Sequence, residues 1–369
     1  MPHTDAPARR TDRIRALAQT YRRFADSAAA GTSPLAQRIA SALSRSDAAL
    51  RALAAAPARA RRPAQLLAAL GDLALAGRAP ALAAAVAAGD PDAVAEAAIA
   101  TLLADSDAVV AVAARRPTAP DERGRCAVLH PAIAEAARRL GATTVGLVDV
   151  GCGAGLNLSV GRVRVRYGNG QTVGDPASPV QQTAEVVGER PLPTAAFPRV
   201  AARIGVDTEP LDVRDPDVAR WLRACVWPDR RERRAGLEAE LALAAADPPL
   251  LLRGGLVETL PDALARVPAD AVPVVTTIWT LSRLPLEQRL RFLDRLVDAA
   301  ARRPLAWVSV EGVGVAPAVP TFGDRRASGH SIIGVALLEP SGLRVEAVGR
   351  CWSRGRLLAW LADAGDGDG

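Results

Sequence analysis

The sequence predicts an α/β protein in which an all-helical N-terminal domain precedes a doubly wound, mostly parallel sheet. Three observations carry that expectation. Residues from about 13 to 116 read as alanine-rich amphipathic helices with no β-rich run among them. At "TTVGLVDV" (residues 143–150) the pattern changes to a short apolar, β-branched run suited to a strand buried on both faces. The loop "GCGAG" follows at once and leads into text that reads as a helix, which is how such a sheet opens.

The elements follow in order. In "DRIRALAQTYRRFADSAAAG" the residues Ile14, Leu17, Tyr21 and Phe24 recur at helical spacing. Gly31 to Pro34 stops that helix and starts another, with Ser33 as N-cap and Pro34 at the first helical position. "PAQLLAALGDLALAG" and "PDAVAEAAIATLLADSDAVVAVAARR" continue the helical theme. The Pro-rich "PTAPDERG" reads as a linker to a helix that ends in Arg138 and Arg139, with Gly141 as its C-cap. After the glycine loop, alternation around Gly168-Asn169-Gly170 predicts a hairpin inserted at about 162–188. "RVAARIGVD" supplies the next strand and ends at Asp207, and helices are expected in "DPDVARWLRACVWP" and "RRAGLEAELALAAAD". "PLLLRGG", "AVPVVTTIW" and "PLAWVSVEG" read as strands, "LEQRLRFLDRLVDAAARR" as an amphipathic helix, and "IIGVALLEPSGLRVEAVG" as a closing antiparallel hairpin. The expected domains are 1–117 and 118–363, with 364–369 as a tail.

Composition narrows the function classes. The 46 Lys+Arg, against 40 Asp+Glu, are all arginine, and they are scattered rather than gathered in a stripe. Aromatic content is 3%, too little for rings interleaved with basic residues along a single strand, so nucleic acid is not the expected partner. Cys126, Cys152, Cys225 and Cys351 form no CxxC pair, and His3, His130 and His330 are dispersed, so no metal site is expected. The N-terminal "MPHTDAPARRTDR" lacks a signal-peptide core, and the apolar stretch 79–104 is broken at Gly89-Asp90-Pro91-Asp92. A cytoplasmic protein without a membrane span is expected.

The loop carries the chemistry. Asp149-x-Gly151-x-Gly153-x-Gly155 lets the backbone turn sharply and approach a ligand closely. The dinucleotide fingerprint requires a glycine where Leu156 stands, and a phosphate loop requires a lysine that this chain lacks. An acid at a strand end followed by GxGxG instead resembles the first motif of class I S-adenosylmethionine-dependent methyltransferases, which have a Rossmann-like sheet. The resemblance implies that Gly151, Cys152, Gly153 and Gly155 cradle the amino-acid end of the cofactor and that Asp149 orients it. It also implies that Asp207, at the end of the next strand, accepts from the ribose hydroxyls, as a carboxylate can for a pair of donors.

A second resemblance spans nearly the whole chain. "YRRFADSAAAGTSPL", "RGRCAVLHPAI", "GLNL", "GDPASPV", "GVDTEPLDVRDPDVARWLRACVWPD", "RGGLVETLP" and "VEGVG" are similar to strings of the domain-of-unknown-function 2332 family of bacterial proteins. That resemblance implies a helical N-terminal part joined to a methyltransferase-type core. The chain departs from the family pattern at Gly255, where an acid is usual at a position resembling the adenine contact of methyltransferases. Thr277 and Arg283 stand where the family carries a histidine and a tyrosine, and Arg354 stands where it often has a histidine.

Further candidates come from position. Arg125 offers a bidentate donor for a cofactor carboxylate, or is one more solvated arginine. Asn157, in the first turn after the loop, bonds a ligand or back-bonds to the start of the helix expected there. Cys152 fills the loop in preference to acting as a nucleophile. Thr276, Thr277 and Trp279 lie where a strand exits, with Thr277 taken as a cofactor contact. Glu311, at the end of "AWVSVE", is the candidate general base if its pKa is raised. The expected function is S-adenosylmethionine-dependent methyl transfer to a small molecule, with the helical region as a substrate cap. The alternative is a non-catalytic Rossmann-like binding protein.

Overall fold

A computed structural model describes residues 5–118, 125–193 and 195–362. The linker read in "PTAPDERG" falls largely outside them, as does the tail at 364–369. The chain divides into two compact units, Met1–Asp121 with Arg214–Glu238, and Glu122–Val213 with Ala239–Gly369.

Chain order begins with α1 (Asp5–Phe24), a π-helical turn (Ala25–Ala29), α2 (Pro34–Leu43), α3 (Asp47–Ala55), α4 (Pro63–Leu75), α5 (Pro80–Ala88), α6 (Pro91–Ala104) and α7 (Ser106–Arg115). Proline opens α2, α4, α5 and α6, where its missing N–H would be unsatisfied in any case. Ser33 accepts from Ala36 N–H at the start of α2, as read from the sequence. Gly89 closes α5 with φ +76°, a conformation that glycine adopts without a Cβ clash.

The second unit begins with α8 (Arg125–Arg139) and β1 (Thr144–Val150). The text after the glycine loop forms a 3₁₀ segment, Leu156–Arg162, and not the expected α-helix. Gly155 at its start packs on Pro249 and Leu251, and the chain turns at Val163 into β2 (Arg164–Tyr167), leaving too few residues for a full helix. The inserted hairpin is β2 with β3 (Thr172–Val173), and β4 (Gln181–Val186) runs parallel to β2. Next come β5 (Arg199–Asp207), α9 (Pro216–Ala224), α10 (Arg231–Ala246), β6 (Leu250–Arg253), α11 (Leu260–Ala265), β7 (Val272–Ile278), α12 (Leu286–Ala300) and β8 (Leu305–Gly312). The meander β9 (Ser331–Glu339), β10 (Gly342–Trp352) and β11 (Leu357–Trp360) closes the chain.

The two contiguous domains expected, 1–117 and 118–363, are corrected by α9, although the first break, after Asp121, falls close to the expected place. That helix returns to the first unit, where Trp221 is buried and its indole N–H donates to Pro117 O at 2.9 Å. Arg220 there pairs with the buried Asp72 at 3.0 Å. Such a return is a through-space fact with no local signature.

Among the described residues eleven strands form one mixed, largely parallel sheet in the order β3-β2-β4-β11-β10-β9-β8-β7-β1-β5-β6. Its parallel part, β6-β5-β1-β7-β8, has the 3-2-1-4-5 order of a doubly wound sheet. Val145 and Leu147 face a core shared with Ile133 of α8, while Val148 and Val150 face one shared with Leu260 of α11 and Phe292 of α12. β1 is therefore apolar on both faces because both are covered. Among the described residues no single helix is long and apolar enough to cross a membrane, and the two bent helix pairs that pass by composition break by 98° and 97°.

Candidate functional site

In a sheet of this order, ligands sit outside the carboxyl ends of the strands where the order reverses. Here that point lies between β1 and β7. Asp149 stands opposite Thr276 in the register, and Val150 opposite Thr277. Side chains alternate along a strand, so these two threonines serve opposite faces. Thr276 Oγ1 donates to Asp149 Oδ1 at 2.7 Å, and Asn157 Nδ2 donates to Oδ2 at 3.1 Å. Thr277 instead accepts from the Trp307 indole at 3.0 Å inside the core. Its side chain is thus turned away from the loop, and Thr276 is the threonine that belongs to the site.

Asp149 is buried, and burial pushes its carboxyl pKa up against the opposing pull of Thr276, Arg125 and Asn157. Arg125, also buried, lies with its guanidinium carbon 5.2 Å from the Trp279 ring centroid. Trp279 has φ +52°, a left-handed conformation that costs a large side chain free energy. Its indole N–H donates to Ser331 Oγ at 2.9 Å. Arg125 comes from the start of α8, Asp149 from the end of β1 and Trp279 from the residue after β7.

The glycine loop is largely self-satisfied. Gly151 N–H and Cys152 N–H donate to Val206 O at 2.8 and 3.2 Å, Gly153 N–H to Asp207 Oδ2 at 2.9 Å, and Gly155 N–H to Cys152 O at 2.8 Å. These donors are committed to the protein, which removes the amide nest a phosphate needs. The three glycines differ. A Cβ on Gly151 would strike the Thr280 side chain and lie 2.8 Å from Arg283 Nη2, and one on Gly155 would lie 2.9 Å from Pro249 Cγ. A Cβ on Gly153 would meet nothing within 4 Å. Gly153 is the glycine of this loop that a ligand can approach.

Cys152 packs against Gly205, and burial with the nearby Asp149 and Asp207 charges drives its thiol pKa far up. It is a filler, with no thiolate to offer. Asp207 also accepts from Glu209 N–H at 3.0 Å, and it remains partly exposed at the loop. Glu311 Oε1 accepts from the amides of Thr280 and Leu281, both at 2.8 Å, and burial raises its pKa. It holds the turn that rests on Gly151.

Two features escaped sequence reading. A Cβ on Gly255 would collide with Glu258 Oε2, so the space beside this glycine is filled by the carboxylate three residues on, which also pairs with Arg291 at 3.4 Å. His330 precedes the Ser331 that bonds Trp279, and its Nε2 lies 2.8 Å from Asp324 Oδ2. Arg350 clamps that same aspartate with bonds of 2.6 and 2.9 Å. No sequence spacing links Asp324, His330 and Arg350. Among the described residues no three His, Cys, Asp or Glu side chains are grouped to hold a metal ion.

The family model described as "Uncharacterized protein conserved in bacteria (DUF2332)" matches residues 18–360. No curated protein and no solved structure matches the chain.

Proposed function

The chain belongs to the DUF2332 family of bacterial proteins, and from that premise we propose that its sheet edge binds S-adenosylmethionine for methyl transfer to a small-molecule acceptor. The observation that carries the reading is the pairing of Asp149 and Asp207 about a loop whose amides are spent internally while Gly153 faces open space. Such a loop suits the amino-acid end of a nucleoside better than a phosphate.

The residues present fit each part of a zwitterionic nucleoside. Arg283, beside Gly151, and Arg125 offer guanidinium forks for a carboxylate. Asp149 retains lone pairs beyond those used by Thr276 and Asn157, and a ligand ammonium favours its ionised form. Asp207 serves a ribose diol, and Glu258 stands where Gly255 leaves no side chain to face an adenine amino group. The bound cofactor would supply a methyl group on sulfonium sulfur, which leaves to the acceptor while sulfur keeps the bonding pair. The protein's share is alignment and exclusion of water. Arg125 on Trp279, and Trp279 on Ser331, hold one wall of the site in place.

A second reading, a binding protein without turnover, is favoured by Glu311. The carboxylate expected as a base commits Oε1 to the backbone amides of Thr280 and Leu281 and so serves a turn, leaving Oε2 as its one oxygen without a partner among the described residues. Calorimetric titration with S-adenosylmethionine, S-adenosylhomocysteine and ATP tests the proposal. Saturable one-to-one binding of the first two without ATP supports it, and absence of binding by folded protein rejects it. Release of S-adenosylhomocysteine on incubation with candidate acceptors separates the two readings.

A further inference from the structure

Away from the sheet, the helical unit contains a cavity of about 160 Å³ between α2, α4, α5, α6 and α9. Its walls are almost wholly apolar, with Ile39, Leu70, Leu82, Val86 and Trp227 prominent. Two charged side chains line it, Arg223 and Arg234. Leu75, on the same lining, is 47% exposed, a large apolar side chain left facing water. The space is partly open to solvent at Leu75, and its apolar walls give a water few partners; an apolar space of about 150 Å³ accepts a benzene-sized guest.

The charges decide what kind of guest. Arg223 donates through Nε and Nη2 to both oxygens of Glu238, each at 2.8 Å, and this fork-to-fork pair consumes the carboxylate. Arg234 lies one turn before Glu238 and adds to the positive field that lowers the Glu238 pKa. Two guanidiniums therefore share one carboxylate at the wall of an apolar space. The unmatched charge favours an anion there, and a guanidinium prefers a planar carboxylate.

We propose that the helical unit binds a small apolar carboxylic acid, of about six to eight carbons, with its tail among Ile39, Leu82 and Trp227 and its carboxylate on Arg234. This site lies within one compact unit and does not rest on the methyltransferase reading.

The test is calorimetric titration of the full-length protein with octanoate and with octan-1-ol, on wild type, Arg234→Gln and Ala83→Leu. Ala83 lines the cavity, and its leucine variant fills it. The expected result is saturable one-to-one binding of octanoate at least tenfold tighter than the alcohol. Arg234→Gln should bring octanoate to the level of the alcohol, and Ala83→Leu should weaken both. Methyl NMR on Ile39 and Leu82 locates the ligand should the filled variant fold poorly, with shifts on both expected. No saturable binding of octanoate by wild type overturns the proposal. Equal binding of acid and alcohol, indifference to Arg234→Gln, or shifts confined to other methyl groups does so too.

Discussion

Thr276 Oγ1 donates to Asp149 Oδ1 at 2.7 Å across two parallel strands, where both residues are buried with only a trace of their surface left open. That bond joins β1 to β7 at the point where the strand order reverses. A buried carboxylate with a lost partner keeps its desolvation cost and forfeits part of the compensation. Thr276→Val should therefore lower stability by about 1–3 kcal/mol. Thr277→Val, which removes an acceptor for Trp307 on the other face, should leave ligand affinity at the loop unchanged. Urea unfolding of both variants, with a ligand titration, checks the distinction.

The loop glycines should separate in the same way. Gly151→Ala adds a methyl group against Thr280 and Arg283 at φ +79°, so it should destabilise the fold by several kcal/mol. Gly153→Ala carries only the left-handed backbone cost of about 1–2 kcal/mol. Its methyl group nevertheless projects into the open side of the loop. The alanine variant at 153 should fold and lose ligand affinity. Thermal unfolding paired with titration reads both effects.

His130 gives a pH dependence of known sign. It is buried against Phe197, with ring centroids 4.5 Å apart, and among the described residues neither ring nitrogen has a hydrogen-bond partner. Burial lowers its pKa from 6.5 to about 4. The folded protein then excludes a proton that the unfolded chain takes up below its own pKa. The stabilisation is complete above about 6.5 and is lost as pH falls towards 4, amounting to about 3 kcal/mol in all. His130→Phe should flatten the stability profile between those limits, as followed by urea midpoints at a series of pH values.

Glu258 offers a direct probe of the adenine contact proposed for this site. Its carboxylate fills the space beside Gly255 and is half-exposed, paired only loosely with Arg291. Glu258→Gln should leave stability within about 0.5 kcal/mol, since exposed pairs contribute little. It should also weaken S-adenosylhomocysteine at least fivefold while leaving methionine-end recognition intact. A titration with the cofactor and with adenosine shows whether the loss follows the base.

Much of this architecture was legible because it is local. The strand at 144–150, the glycine loop and the strand ending at Asp207 announce themselves by β-branched runs, turn residues and a terminal acid. Ser33 was readable as a cap for the same reason. What the text could not give was set by through-space partners. Register, not spacing, selects Thr276 over Thr277, and Glu258 takes the space beside Gly255 by folding back over it. The return of α9 to the first unit rests on Trp221 and Arg220 finding Pro117 and Asp72, which no window of sequence contains. The 3₁₀ segment after the loop reflects the early turn into β2, while composition alone favoured a helix.

Asp149 and Asp207 are proposed to grip one ligand about the glycine loop. The most direct test is S-adenosylhomocysteine affinity of wild type, Asp149→Asn and Asp207→Asn, each first shown to be folded by circular dichroism. Wild type should bind saturably, and each variant should lose affinity at least tenfold. Binding that is equal in all three, or absent from the folded wild-type protein, would contradict it.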